Sequence, residues 1–199
     1  MLKIGLTGGI GSGKTIVSQI FKNIGIPVFC ADSEAKKTYY DDDVRKQIIN
    51  IFGKQIYIND TCIDKQLLAS KIFNDRQLLE KVNNIIHPAV RRHFENWLAE
   101  QKSAYIIHEA AILFESGFDK FMDKTIVVNA PHDLRIMRVM ERDKQTHQQV
   151  IKRMENQMND EERNARADFI INNYMNIPVL PQILKIHEKI IELIDISSE

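Results

Sequence analysis

The sequence is poor in cysteine and contains no long hydrophobic run. Its two cysteines, Cys30 and Cys62, are too few for a disulfide framework and lack the spacing of metal ligands. This scarcity of cysteine favours a protein of a reducing compartment. No apolar run approaches the roughly 20 residues that a membrane-spanning helix needs. A strand-like segment and a glycine-rich loop begin the chain, so we expect no signal peptide. These absences predict a cytoplasmic protein without a membrane partner.

The sequence also has no excess of charge of either sign. Its 27 basic and 27 acidic residues cancel, so the composition does not favour nucleic acid as a partner. Hydrophobic residues make up 44% of the chain, enough for a sizeable core. We see no internal repeat and no long flexible linker. The 199 residues suit one domain with insertions, and we expect a monomer that acts on small molecules.

The glycines of the sequence are concentrated near the start of the chain. Residues 8–15, GGIGSGKT, fit the pattern G-x-x-x-x-G-K-[ST], with an apolar strand pattern before them and an amphipathic helix pattern after them. Glycine lets such a loop turn its backbone N–H groups onto a phosphate. Lys14 would place a cation on the β- and γ-phosphates, and the Thr15 hydroxyl would ligate Mg²⁺. A glycine-rich turn without a ligand is the alternative interpretation.

Five short apolar segments alternate with helical patterns along the chain. This alternation predicts an α/β fold of the P-loop NTPase type, with a doubly wound, five-stranded parallel sheet. We predict the strands near residues 2–7, 27–31, 104–109, 124–129 and 168–172.

Two helical stretches interrupt this alternation. Residues of about 33–102 contain no substantial sheet strand and predict a helical insertion that binds the acceptor of a transferred group. Residues of about 133–166 predict a helical lid, which would exclude water during the transfer. The core of a single kinase-like domain would then comprise about 1–32, 103–132 and 167–199.

Carboxylates at the ends of predicted strands are candidates for acid–base chemistry. Asp32 follows the second strand and Glu109 ends the third, and ligands of open α/β sheets bind at that edge. Asp32 could equally be the N-cap of a helix over residues 33–40. The acidic run at residues 41–43 could suggest a metal site, but acidic residues at a helix N-terminus are commoner.

Basic residues add two further candidates. Arg135, Arg138 and Arg142 share one face of a predicted helix; near a phosphate-binding loop this spacing favours phosphate contacts, with a mixed-charge surface helix as the alternative. His87 precedes Pro88, which should break or kink the long amphipathic segment around it. Taken alone, His87 favours a buried structural histidine over a ligand contact.

Together these motifs resemble the dephospho-CoA kinase family over nearly the whole chain. The resemblance implies that ATP and Mg²⁺ are used to phosphorylate the 3′-hydroxyl of the ribose of dephospho-CoA. The products would be coenzyme A and ADP, in the last step of coenzyme A biosynthesis. The segments that carry the resemblance, in order, are TGGIGSGKT, ADSEAK, the His-Pro pair, EAAILFESG, ERD and ADFIINN.

The same resemblance implies roles for single residues. Asp32 would act on the acceptor hydroxyl, with Lys14 and Arg142 as further catalytic residues. The residues implied to bind ATP are Gly9, Gly11, Ser12, Gly13, Lys14, Thr15, Ile16, Arg138, Arg142 and Asn173. The residues implied to bind the acceptor are Thr7, Asp32, His87, Leu113, Phe114 and Glu115.

Three positions depart from the family pattern. The family often has D-V-P-L ahead of its L-F-E, where this chain has Glu109 followed by Ala-Ala-Ile. Thr15 replaces the commoner serine and keeps the hydroxyl. Arg135 stands where a glutamine is expected. The roles of Arg135 and Glu109 therefore stay open at this stage.

Two other functions have to be weighed against this one. Another P-loop kinase, for a nucleoside or a small alcohol, would share Lys14, Thr15 and the lid, and would differ only in its acceptor pocket. A GTP-dependent switch would need an N-K-x-D motif and a D-x-x-G motif, and neither occurs in the sequence.

Overall fold

The chain divides into two compact units, one of which is inserted into the sequence of the other. A computed structural model describes residues 1–59, 62–72, 75–174 and 176–196. The units are Met1–Cys30 with Gln101–Glu199, and Ala31–Glu100.

The first unit contains the five-stranded sheet that the sequence predicts. The strands of the chain are β1 (Leu2–Thr7), β2 (Val28–Cys30), β3 (Tyr57–Asn59), β4 (Cys62–Ile63), β5 (Tyr105–Glu109), β6 (Lys124–Asn129) and β7 (Phe169–Asn172). The sheet has the order β2-β5-β1-β6-β7, and each neighbouring pair is parallel. The predicted α/β fold class is therefore confirmed.

Helices follow the strands as a doubly wound fold requires. They are α1 (Lys14–Asn23), α2 (Ala31–Thr38), α3 (Asp42–Phe52), α4 (Lys65–Ile72), α5 (Arg76–Ala99), α6 (His132–Asp143), α7 (His147–Glu155), α8 (Asp160–Ala165) and α9 (Val179–Ile196). In the described ranges, none is long and apolar enough to cross a bilayer.

The core of the first unit forms where apolar strand residues meet two amphipathic helices. Ile4 and Leu6 in β1 are fully buried, as is Phe21 in α1 and Ile183 in α9, and all four belong to one apolar cluster. Strands covered on both faces read as continuous apolar runs, which is why the sheet was visible in the sequence. This core fixes the positions of the strand ends that contribute to the candidate site.

The second unit is mainly helical, with a small antiparallel pair. Strands β3 and β4 pair with each other, a feature the sequence analysis did not predict. The Tyr57 hydroxyl donates to the Tyr39 carbonyl at 2.7 Å. His93 in α5 lies 2.9 Å from an Asp41 carboxylate oxygen. Polar contacts therefore tie the short elements of this unit together around its apolar core.

The structure corrects two expectations for the second unit. Helix α5 continues through Pro88 without a break, and the burial of Ile86 and Val90 in the same helix offsets a local cost of about 3 kcal/mol. The kink expected at Pro88 stays a prediction. Helix α2 begins at Ala31, directly after β2, so Asp32 lies in its first turn and is not an N-cap. A carboxylate in that position still interacts favourably with the helix dipole.

The start of β6 is held by the Asp168 side chain, just ahead of β7. Its carboxylate accepts hydrogen bonds from the Thr125 backbone at 2.8 Å, the Thr125 hydroxyl at 3.0 Å and the Lys124 ammonium at 2.9 Å. Partial burial acts to raise the pKa of Asp168, but these hydrogen bonds outweigh it and leave the pKa below its ordinary value. The ionised carboxylate is therefore part of the fold.

We expect Asp168→Asn to lower the free energy of unfolding by about 1–3 kcal/mol at neutral pH, because the amide carries no charge and accepts fewer hydrogen bonds. The depressed pKa means that this stabilisation is present above the unfolded-state pKa of about 4 and is lost as the pH falls through the folded-state value. Urea unfolding at neutral and strongly acidic pH measures the difference. Asp195→Asn, exposed in α9, is the control, and an equal loss at both pH values would contradict this account.

Candidate active site

The loop between β1 and α1 has the backbone geometry of an anion site. Gly11 and Gly13 have φ angles of 79° and 95°, which only glycine adopts without strain. Gly13 is also the N-cap of α1. The helix therefore begins at the loop, where its unpaired N–H groups and positive dipole end would meet a phosphate.

Lys14 and Thr15 occupy the first two positions of α1. The Lys14 ammonium donates to the Gly8 carbonyl at 2.8 Å, so the side chain folds back over the loop. The side chains of Thr15 and Ile16 are exposed. An exposed hydroxyl suits Mg²⁺, which takes few protein oxygens and fills its other positions with phosphate oxygens and water. Within the described ranges, no group of three or more His, Cys, Asp or Glu side chains could hold a metal by itself.

Two side chains from later in the chain hold the loop in shape. Asn173 donates to the Ser12 carbonyl at 2.7 Å, and Arg138 donates to the carbonyls of Gly11 at 3.3 Å and Asn173 at 3.2 Å. A Cβ at Gly13 would stand 2.0 Å from the Asn173 amide nitrogen. Glycine is therefore required at residue 13 by close approach as well as by φ. The predicted contacts of Arg138 and Asn173 with ATP stay predictions.

Gln157, between α7 and α8, links the phosphate loop to the loop after β5. Its side-chain oxygen accepts from the Ile10 amide at 2.8 Å, and its nitrogen donates to the Ala111 carbonyl at 3.4 Å. Close by in sequence, the Met158 amide donates to Glu115 at 2.9 Å. The sequence analysis missed Gln157, because a single glutamine in a helical stretch carries no recognisable pattern.

The three arginines of α6 have different surroundings, although helical spacing gives them one face. The Arg135 side chain is 6% exposed and pairs with Asp160, while Arg138 contacts the loop as described above. The Arg142 side chain is 60% exposed and reaches Asp143 through two nitrogens, at 2.7 and 3.0 Å. The guanidiniums of Arg142 and then Arg153 hold the pKa of Asp143 well below its usual range.

Several polar groups are buried at the carboxyl edge of the sheet. Glu109, at the end of β5, is 7% exposed and accepts from the Ser18 hydroxyl at 2.8 Å. The Thr7 and Ser12 hydroxyls are buried beside the loop and find no hydrogen-bond partner in the part of the chain that is described. Buried polar groups are normally satisfied, so these hydroxyls fit an edge that receives a polar ligand.

Leu113 and Phe114 are packed into the core after β5. Leu113 is fully buried, and its Cδ2 lies 2.6 Å from where a Cβ at Gly5 would stand. Phe114 is 5% exposed, with the Arg166 guanidinium 4.4 Å from its ring centroid. Packing accounts for both side chains, and their predicted contact with an acceptor stays a prediction.

Asp32 and His87 belong to the second unit. Asp32 is exposed in the first turn of α2. His87 is half-buried within α5, and burial lowers the pKa of its imidazole. A neutral imidazole at physiological pH can pack in a core or exchange hydrogen bonds with a ligand, so both interpretations of His87 stay open.

Comparison with known proteins identifies the family of this chain. The family model for dephospho-CoA kinase, CoaE, matches residues 2–178. A dephospho-CoA kinase from Bacteroides fragilis is 41% identical over 93% of this chain and 91% of its own length. The chain belongs to the dephospho-CoA kinase family.

Solved structures agree with this assignment. The dephospho-CoA kinase from Campylobacter jejuni matches with a TM-score of 0.69 and 26% identity, over 94% of this chain and 96% of that one. The structure of TT1252 from Thermus thermophilus matches with a TM-score of 0.85 and 29% identity, over the same shares of the two chains. Membership of the dephospho-CoA kinase family makes the chain a phosphotransferase of the kinase class and argues against a GTP-dependent switch.

Proposed function

We propose that this chain uses ATP to phosphorylate the 3′-hydroxyl of the ribose of dephospho-CoA, giving coenzyme A and ADP. This would be the last step of coenzyme A biosynthesis, carried out by a cytoplasmic monomer. The observation that carries the proposal is the match to the dephospho-CoA kinase family over residues 2–178. The phosphate loop at the start of α1 supports it independently.

The donor side of the reaction would be built on the phosphate loop. Lys14 would exchange the Gly8 carbonyl, its partner at 2.8 Å, for oxygens of the β- and γ-phosphates. Backbone N–H groups of the loop glycines Gly9, Gly11 and Gly13 and the N-terminus of α1 would hold the remaining phosphate charge. Thr15 would hold Mg²⁺, which supplies positive charge to the phosphate oxygens when it is bound with ATP.

The acceptor side would depend on Asp32. As the ribose oxygen bonds to the γ-phosphorus, the bond from that phosphorus to the leaving oxygen of ADP breaks. The hydroxyl proton passes to the Asp32 carboxylate, which also orients the oxygen in line. We assign acceptor binding to the residues that the family resemblance implies, which are Thr7, Asp32, His87, Leu113, Phe114 and Glu115.

Residues 133–166, the lid segment, would close over the phosphates. Arg142 is exposed and free to change partners, so it would leave Asp143 and bind the transferred phosphoryl group. A guanidinium binds phosphate through two parallel hydrogen bonds, which a lysine cannot reproduce. Closure would also keep water from competing with the acceptor.

We expect Arg142→Lys to lower kcat roughly tenfold, by analogy with the loss of a bidentate contact, with little change in melting temperature because the side chain is mostly exposed. Steady-state kinetics and thermal unfolding measure the two effects. Arg153→Lys is the matched control, because Arg153 pairs with the same Asp143 carboxylate. An equal loss of rate in both variants would attribute the effect to the ion pairs with Asp143 and not to a contact between Arg142 and phosphate.

The proposed function is tested by offering ATP with dephospho-CoA, adenosine and pantetheine derivatives side by side in a coupled assay of ADP release. We expect dephospho-CoA to have by far the highest kcat/KM. Mass spectrometry and chemical mapping of the product should place the new phosphate on the ribose 3′-oxygen. A preference for adenosine or a small alcohol would support another P-loop kinase and overturn the assignment of the acceptor.

A further inference from the structure

Two buried arginines and one partly exposed carboxylate form a cluster in the lid segment. Asp160 accepts from Arg135 at 2.6 Å through one oxygen and from Arg163 at 2.7 Å through the other. The two arginine side chains are 6% and 2% exposed. Arg163 also donates to the Met158 carbonyl. The Arg135–Asp160–Arg163 cluster therefore fixes the position of the Arg135 guanidinium.

This cluster contacts the phosphate loop at Gly9. A Cβ at Gly9 would stand 1.8 Å from one terminal nitrogen of Arg135 and 3.3 Å from one of Arg163. Gly9 is not among the glycines with positive φ, so its φ angle does not itself call for glycine. A larger residue at position 9 would have to displace the Arg135 guanidinium, which occupies the space beside the α-carbon.

The cluster also carries an unbalanced charge. Its two guanidiniums face the single carboxylate of Asp160, which leaves about one net positive charge next to a loop that binds phosphates. Burial lowers the pKa of Arg135, but a guanidinium remains protonated at physiological pH. In the low dielectric of a buried site, such a charge attracts an anion more strongly than it would in water.

We propose that Arg135 is a positioning residue for ATP. Held by Asp160, which Arg163 also binds, its guanidinium packs against Gly9 and keeps the phosphate loop in the conformation that accepts phosphates. Its charge adds to the attraction. This inference rests on ATP being the donor, as proposed above, and it gives a role to the residue that departs from the glutamine expected at this position.

The first experiment compares the parent with Arg135→Gln, the residue that the family resemblance leads us to expect there. We expect the dissociation constant and the KM for ATP to rise about tenfold, the scale of one hydrogen bond to a charged group. The kcat at saturating ATP and the KM for dephospho-CoA should stay within about twofold, because loop shape affects ground-state and transition-state binding alike. Arg135→Lys keeps the charge without the fork and should fall in between.

Lys124→Gln is the control for the loss of an ion pair, since Lys124 pairs with Asp168 at the start of β6 and does not contact the loop. Its ATP affinity should match that of the parent. A lower melting temperature for Arg135→Gln with unchanged ATP affinity would overturn the proposal and leave Arg135 as a structural tie. Should Arg135→Gln not fold, Arg135→Lys provides the same comparison.

A second experiment tests the contact itself through a double-mutant cycle. Gly9→Ala should weaken ATP binding strongly in the parent, because its methyl group would collide with Arg135. In an Arg135→Ala background the same substitution should cost at least several-fold less, since the colliding atoms are gone. Strict additivity of the two substitutions would overturn the proposal. A parent that neither binds nor uses ATP would instead refute the proposed function, and this comparison separates the two failures.

Discussion

Lys14→Ala is expected to fold as the parent does and to lose nearly all of its kinase activity. The side chain leaves the start of α1 and contacts the Gly8 carbonyl, so its removal opens no cavity in the core. In the reaction its charge would act on the oxygens that gain charge during transfer. Loss of one such preorganised group costs a hundred- to a thousandfold in rate, or about 3–4 kcal/mol of barrier.

Single-turnover kinetics with saturating ATP and dephospho-CoA measure the loss, and circular dichroism melting checks the fold. Lys22→Ala is a matched control, because Lys22 lies exposed in the last turn of the same helix. It should retain the parent rate. A well-folded Lys14→Ala variant with near-normal turnover would remove the phosphate loop from the mechanism.

Asp32→Asn is expected to fold, to bind ATP normally and to lose roughly a hundredfold or more in turnover, the scale of general-base removal. The acceptor is a ribose hydroxyl, which must lose its proton as it bonds to phosphorus. Asparagine keeps the size of aspartate but cannot accept that proton. Because Asp32 lies in the first turn of α2 and is not its N-cap, the lost dipole interaction is expected to cost about 0.3–1 kcal/mol of stability.

Asp42→Asn is the control for that dipole effect, since Asp42 is exposed in the first turn of α3. Its stability should change by about the same dipole contribution, and its turnover should not change. If Asp32→Asn transfers phosphate at the parent rate, Asp32 is not the base. Glu109→Gln would then be the next variant, because Glu109 ends a central strand and its glutamine substitute could still accept from Ser18.

The sequence predicts the sheet well because parallel strands buried on both faces are continuous apolar runs. Strands β1 and β6 have the bounds expected from the sequence, and β2, β5 and β7 begin one residue later. The β3–β4 pair was missed because it is too short to show a period. The expectation of a break at Pro88 was wrong, because a local propensity was weighed without the burial of Ile86 and Val90 in the same helix.

Some residues of the candidate site could be predicted from a local sequence motif, and others could not because they are distant in sequence. The loop with Lys14 and Thr15 is one continuous motif, so the sequence reveals it. Gln157 binds the Ile10 amide across 147 residues of sequence, and Arg163 joins the site through its contact with Asp160 near Gly9. No period or spacing marks such residues, because the fold alone brings them together. Arg135 was noticed as a departure, yet only its burial beside Gly9 suggests what it does.

The phosphate loop is translated well before the residues that hold its shape. Strand β1 pairs with β5, so Leu2 finds its partner Tyr105 only after β5 has been synthesised. The phosphate loop is then held by side chains that come later still, those of Arg138, Gln157 and Asn173. A nascent chain would therefore expose β1 as an unpaired apolar strand while the next hundred or so residues emerge from the ribosome, which makes such a segment prone to aggregation. A fragment that ends before α6 would carry the complete motif and yet lack the side chains that turn it into a nucleotide site.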